Sequence, residues 1–236
     1  MFFEKLSGFQ LKYLALFCML ADHFAVIFQK ELPVSLYFIL RSAGRLAFPL
    51  FAFFLTEGFF HTQNLRKYGE RLLLFALISE IPFDLALGSL SDLSSALARQ
   101  NVFFTLFFGF LALALAQQAG NTPSGILSFA ILFALINEVC RGDGGAPGIL
   151  CIILFYIFRK SQASDSGLPV ICGMISISPL VLASVFSFPA EIVSFAAAIF
   201  LRCYNGKKGR GKKYFFYLFY PLHLLFLLLI SYSFSI

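Results

Sequence analysis

The chain has 236 residues, 59% hydrophobic and 13% charged, with 33 Phe, no Trp and a mean hydropathy of +0.85. No soluble domain of this size hides so much apolar surface, so a bilayer must cover it; at roughly 20 residues per span the length supplies about eight to ten spans and leaves little for a soluble domain. The net charge of +6 does not indicate a nucleic-acid partner, because the basic residues lie in the connections between apolar runs, where the positive-inside rule puts them.

The predicted architecture is all-α, a polytopic transmembrane helical bundle forming one integral membrane domain over residues 1–236. Nine apolar segments can be marked, at 11–29, 34–60, 69–88, 101–118, 124–140, 147–159, 168–186, 188–202 and 214–234. The leading MFFEKLSGFQLKY runs into an apolar stretch that carries Asp22 and His23 and has no small-residue cleavage site, so it reads as a retained first helix. Pro147, Pro169, Pro179 and Pro189 crowd segments six to eight; inside a bundle such prolines act as kinks when neighbours satisfy the freed carbonyls. The even-numbered connections hold Arg66, Lys67 and Arg71, then Arg159 and Lys160, then Arg202, Lys207, Lys208, Arg210, Lys212 and Lys213. With Lys5 and Lys12, these set the N-terminus in the cytoplasm and the neutral tail SYSFSI outside. The odd set of five cysteines, without a CxxC, suggests neither a disulfide framework nor a zinc site, and no metal is expected. No fixed-period repeat is visible, which counts against an inverted-repeat transporter.

Polar groups inside these segments call for a reason. Asp22 and His23 lie on the first helix just past its midpoint; neighbours on a helix point about 100° apart, so this Asp cannot readily orient this His. The second segment offers Arg41 and Arg45 on one face, and Asp22 with Arg45 is the expected pair, since a charge at mid-bilayer costs several kcal/mol unless paired. That leaves His23 free to face a cavity, where its ordinary titration range suits a proton acceptor. A purely structural ion network is the alternative. Glu57 and His61 mark the inner end of the second segment, and interface solvation suits His61. In ERLLLFALISEIPFDLAL, Glu80 and Asp84 flank Pro82 at i, i+4 and project together; either one could hold the second nitrogen of His23, or both could neutralise Arg41 and Arg45. Asn101 and Thr105 share a helix face and either reach a vestibule as donors or cap and pack. RGDGGAPG, at residues 141–148, reads as a tight outer loop. The glycine-punctuated loop around Lys207, Lys208, Arg210 and Lys212 suits phosphates of a soluble cofactor or anionic lipid. His223 lies three turns into the last helix, approaching from the side opposite His23, so the two histidines are expected at the two ends of one passage.

The stretches LADHF, GRLAFPLFAFFLTEGFFHTQNLRKYGERLLLFALISEIPFDLAL, QNVFFTLFFG, and YNGKKG followed by FFYLFYPLHL, in that order, resemble the TraX family, whose namesake is the F-pilin acetylase of conjugative plasmids. Residues 120–200 carry the resemblance most weakly. It implies a multi-pass enzyme of the bacterial cytoplasmic (inner) membrane that takes acetyl groups from cytoplasmic acetyl-CoA, its acyl donor, to an acceptor at or beyond the membrane. In the wider group an intramembrane histidine is the usual catalytic candidate, and the matching position is His23.

Joined to the residues above, the resemblance assigns His23 as base or transiently acetylated group, with Asp22, Glu80 and Asp84 completing the catalytic set. Arg41, Arg45, Asn101, Thr105 and Glu57 are candidate substrate-binding residues. Asn205, Lys207, Lys208, Arg210, Lys212, Tyr220 and His223 are expected to hold CoA phosphates and the pantetheine path. The sequence leaves the acceptor open between a peptide amine, such as a pilin N-terminus, a sugar hydroxyl and a lipid headgroup. The expected partners are acetyl-CoA, that acceptor and the lipid bilayer, with no nucleic acid; scattered small residues leave a homodimer open. The competing reading is a small proton-coupled transporter using the same histidine and carboxylates.

Overall fold

The computed structural model describes residues 6–87, 99–159, 168–184 and 187–234. Lys5 and Lys160 of the orientation argument, the ends of segments 69–88 and 168–186, and the last residues of SYSFSI lie outside the described residues.

Each of the nine apolar segments contains a helix, and among the described residues there is no strand. In chain order the helices are α1 (Gly8–Ile27), α2 (Val34–Gly44), α3 (Ala47–His61), α4 (Leu65–Leu87), α5 (Val102–Gln118), α6 (Pro123–Val139), α7 (Gly145–Arg159), α8 (Leu168–Ser184), a 3₁₀ helix (Pro189–Phe195) running into α9 (Ala196–Arg202), and α10 (Lys213–Phe234). Gly8–Ile27, Val34–His61 and Tyr214–Ser233 are long and apolar enough to cross a membrane, while Val102–Gln118, Pro123–Val139, Gly145–Arg159 and Val170–Ser184 are apolar but shorter. These helices mark a membrane protein. Its outer surface agrees: Phe17, Ile81 and Val139 are 69%, 69% and 84% exposed, a cost that only a lipid environment removes. Inside, Ala15, Ala52, Ala76, Ala112, Ala197 and Ala198 are fully buried; such small side chains let helix backbones approach closely where lipid supplies no hydrophobic drive.

Local sequence sets the helix ends. Ser7 and Gln10 form a reciprocal capping box at the start of α1, with Ser7 N–H donating to Gln10 Oε1 at 2.8 Å. Asn101 caps α5 by accepting the Phe103 amide at 3.0 Å, and Thr122 caps α6 with Pro123 at the first helical position. Two segments differ from the expected continuous helices. Segment 34–60 breaks at Arg45–Leu46, where the Arg45 and Leu46 amides make tight bonds to the Ser42 and Ala43 carbonyls. The cause is Pro49, which has no N–H for the Arg45 carbonyl and whose ring crowds it. Segment 188–202 begins in 3₁₀ geometry behind Pro189 and becomes α-helical at Ala196.

Helix α1 packs on α2, α3 and α10, while α3 and α7 pack together in the interior. The start of α1 pairs with residues 203–208, and the ends of α3 and α7 meet through Glu57 and Arg159. One end of the bundle therefore gathers Arg159, Arg202 and the basic loop. The opposite end gathers Asp22, Arg41, Arg45, Glu191, Arg99 and Asp143.

Candidate active site

Asp22 sits in the second-last turn of α1, facing the broken joint between α2 and α3. Its Oδ2 accepts from Arg41 Nη1 and its Oδ1 from Arg45 Nη2, both at 2.6 Å. The expected partner Arg45 is present, and Arg41 shares the same carboxylate. Arg45 also donates from Nε to the Arg41 carbonyl at 3.2 Å and from Nη1 to Glu191 at 3.4 Å. The Phe188 ring lies 5.3 and 5.5 Å from the two guanidinium centres, a cation–π contact that helps replace lost hydration. Gly44 makes the cluster possible, since a Cβ there would overlap the Asp22 carboxylate.

His23, 9% exposed, turns the other way, onto α10. Its Nδ1 lies 2.6 Å from His223 Nε2, and His223 Nδ1 lies 2.8 Å from the Phe219 carbonyl one turn back. The two imidazoles are therefore in direct contact, not at the two ends of a passage. The reason is that α1 and α10 both start at the basic end and run the same way, so His23, 15 residues along α1, and His223, 10 residues along α10, enter from the same side and come level. Tyr220 presents an edge-on ring to both histidines, with centroids 5.8 and 5.6 Å away.

His23 and Tyr220 line a cavity of about 590 Å³. Its walls carry Asp22, Arg41, Arg45 and Glu191 on one side and Asp84, Arg99 and Asp143 on the other. Arg99 donates to Asp143 at 3.0 Å, whereas Asp84 makes no ion pair among the described residues. Asp22, His23, Asp84, Arg41, Arg45 and Tyr220 thus come together as a polar chamber inside apolar helices.

The other candidates fall elsewhere. Glu80 does not reach His23: its Oε2 accepts the Asn101 backbone amide at 3.2 Å and also the Asn101 side-chain amide. Asn101 donates further to the Ala76 carbonyl at 2.8 Å, and Thr105 donates to Asn137 and accepts the Gly144 amide, both at 3.2 Å. Asn101 and Thr105 are fully buried, and their bonds fix the two loops that carry Arg99 and Asp143 to the cavity rim. Glu57 lies at the opposite end of the bundle, bound by Arg159 Nε and lying 3.5 Å from His61 Nε2. It is remote from the cavity because it sits three turns beyond the joint, at the end of α3.

The basic loop is also at that far end. The Gly8 and Phe9 amides, which α1 itself leaves unsatisfied, donate to the Lys207 and Lys208 carbonyls at 2.8 and 3.0 Å. Asn205 accepts the Lys207 amide through its side chain at 2.9 Å, and Gly206 and Gly209 turn the chain with positive φ. Lys207, Lys208, Arg210 and Lys212 are exposed. From Gly8 to His23 is about 22 Å along α1 at 1.5 Å per residue. Between them lies Lys12, its ammonium 5.1 to 5.7 Å from the Phe54, Phe9 and Phe216 ring centroids.

Glu191, Asp143 and Arg99 were not among the residues expected at the site. Glu191 left a signal, as the lone acid in 168–202. Asp143 was hidden inside a loop explained by its glycines, and Arg99 by its role in orientation. Among the described residues, no group of three or more His, Cys, Asp and Glu is arranged to hold a metal ion.

The family model described as TraX protein matches residues 7–231. A probable fimbrial assembly protein FimC, serogroup H1, of Dichelobacter nodosus is 35% identical over 235 residues, covering 92% of this chain and 93% of that protein. No solved structure matches the chain significantly.

Proposed function

Since the chain belongs to the TraX protein family, we propose that it is a membrane-embedded acetyltransferase. It moves an acetyl group from cytoplasmic acetyl-CoA to an amine or hydroxyl acceptor at or beyond the bacterial inner membrane. The observation that carries this reading is His23 on the wall of a partly open cavity that brings charged side chains together among apolar helices. Acetyl transfer needs a base to take the acceptor's proton as it attacks the thioester, and a well-placed base contributes about 10²- to 10⁴-fold. It also needs fixed positive charge near the developing oxyanion. Arg41 and Arg45 are candidates, held still by Asp22 and Glu191 so that little reorganisation accompanies reaction.

In this reading the nine helical rods cross the bilayer with the basic end in the cytoplasm and α10 ending outside. Lys207, Lys208, Arg210 and Lys212 hold the CoA phosphates, and the pantetheine arm follows the seam of α1 and α10 past Lys12 and Tyr220 toward His23. The relative's name as a fimbrial assembly protein favours a pilus-subunit amine over a sugar hydroxyl as acceptor. The reading is tested by thermal unfolding of the detergent-purified protein against acetyl-CoA, free CoA and ATP. A ligand of the folded state raises stability by RT ln(1 + [L]/Kd), about 2.7 kcal/mol at 100-fold excess over Kd. A saturable rise with acetyl-CoA that ATP does not reproduce is expected; no rise at millimolar acetyl-CoA overturns the donor site. A proton-coupled carrier is the second reading, favoured by the Asp84 carboxylate, which has no ion-pair partner among the described residues and lies in the same cavity as His23. It requires substrate uptake by vesicles without acetyl-CoA.

A further inference from the structure

We propose that His223 is a positioning residue that sets the tautomer of His23, so that the bare Nε2 of His23 is the base. The argument is one of donors and acceptors. A backbone carbonyl can only accept, so the 2.8 Å contact between His223 Nδ1 and the Phe219 oxygen places a proton on Nδ1. With the ring neutral, His223 Nε2 then carries a lone pair and no proton. The 2.6 Å contact between it and His23 Nδ1 needs one donor, and only His23 Nδ1–H supplies it. His23 Nε2 is left bare. The chain thus reads Phe219 carbonyl, His223, His23, cavity, with every proton assigned.

The ring geometry supports a true in-line bond. The imidazole planes lie within 12° of each other with centroids 4.9 Å apart. For a nitrogen contact of 2.6 Å that separation is close to the largest two imidazole rings can reach, so the rings meet edge to edge along the bond instead of overlapping face to face. Phe219 stacks on the other side of His223, 5.0 Å away at 14°, and Tyr220 closes on both rings edge-on. Among the described residues no carboxylate bonds either imidazole: Glu80 is committed to Asn101, and Asp22 to two arginines. In the Ser-His-Asp triad the partner that orients the catalytic histidine is an acid; here a second imidazole anchored to a main-chain carbonyl does that work.

The catalytic consequence rests on the acetyl-transfer reading above. As the acceptor's nitrogen or oxygen bonds to the thioester carbonyl carbon, its proton passes to His23 Nε2. The resulting imidazolium keeps its Nδ1–H on His223 Nε2, now a charge-assisted and stronger bond. When the carbon–sulfur bond breaks, Nε2–H returns the proton to the CoA thiolate. The products are the acetylated acceptor and free CoA, and both histidines regain their starting protonation.

The chain has three histidines, so ¹⁵N-histidine NMR of the full-length protein in nanodiscs resolves each tautomer without any substrate, with His61→Gln for assignment. His23 is expected as the Nδ1–H form in the wild type. It should also persist in His223→Gln, whose amide donates to Phe219 and accepts from His23, and be lost in His223→Phe. In acetyl transfer, His223→Phe should lower kcat about 10²- to 10⁴-fold with KM for acetyl-CoA unchanged, and His223→Gln should restore most of it. An Nε2–H tautomer of His23 in the wild type overturns the proposal, as does a His223→Phe protein with wild-type folding and kcat. The expected tautomers in a protein that turns over no acetyl-CoA support the relay and refute the acetyl-transfer reading instead.

Discussion

Asp22 is the residue on which the arginine cluster of the site depends. It is shared by Arg41 and Arg45 at 2.6 Å each, so Asp22→Asn leaves Arg41 with a neutral partner and Arg45 with Glu191 as its one remaining carboxylate among the described residues, in a largely buried place. Removing one member of a buried pair costs about 3–5 kcal/mol, and thermal unfolding in detergent should register a loss of that order. Gly44→Ala should produce a comparable loss without changing any charge, because the new methyl group displaces the same carboxylate. If Gly44→Ala melts like the wild type, the cluster is looser than its distances imply. The Asp22–Arg45 pair was legible in the sequence because intramembrane charges must find partners. Which way His23 would turn was not: its partner lies 200 positions away, and no local spacing encodes a contact between the first and last helices.

At the scale of the element, the joint between α2 and α3 does what a straight helix cannot. Pro49 frees the Arg45 carbonyl and bends the rod, so that Arg41 and Arg45 both close on one carboxylate of α1. Pro49→Ala should restore the missing amide and let the rod straighten, with little change in helix content by circular dichroism. The misplaced guanidiniums should then cost up to about 10²-fold in acetyl-transfer kcat, the usual penalty for a displacement of about 1 Å. Unchanged kcat would mean that the break is held by packing and not by the proline. The positions of the helices were legible from apolar run lengths. This break was not, because the run from 34 to 60 is apolar throughout and Pro49 is as compatible with a first-turn proline as with a kink. For the same reason Glu80 and Asp84 looked equivalent at i, i+4, although only Asp84 reaches the cavity; Asn101, arriving from α5, takes Glu80.

The whole molecule is polarised, with a basic loop at one end of the bundle and the histidine cavity toward the other. Because about 22 Å separates them along α1, the proposed acetyl transfer implies that Lys207→Glu with Lys208→Glu and Arg210→Glu raises KM for acetyl-CoA and leaves kcat nearly unchanged, the pattern of lost uniform binding. A fall in kcat of the same size would place the nucleotide elsewhere. The polarity was legible, since basic residues cluster in alternate connections; the tether was not, as nothing in the sequence announces that Leu6 would pair with Tyr204 or that the Gly8 and Phe9 amides would be satisfied by the loop's own carbonyls. That seam also sets a schedule for biosynthesis. The α1 imidazole is synthesised 200 residues before its partner on α10. A nascent chain that has not reached α10 therefore lacks the assembled histidine pair, and the contact forms only once α10 packs on α1.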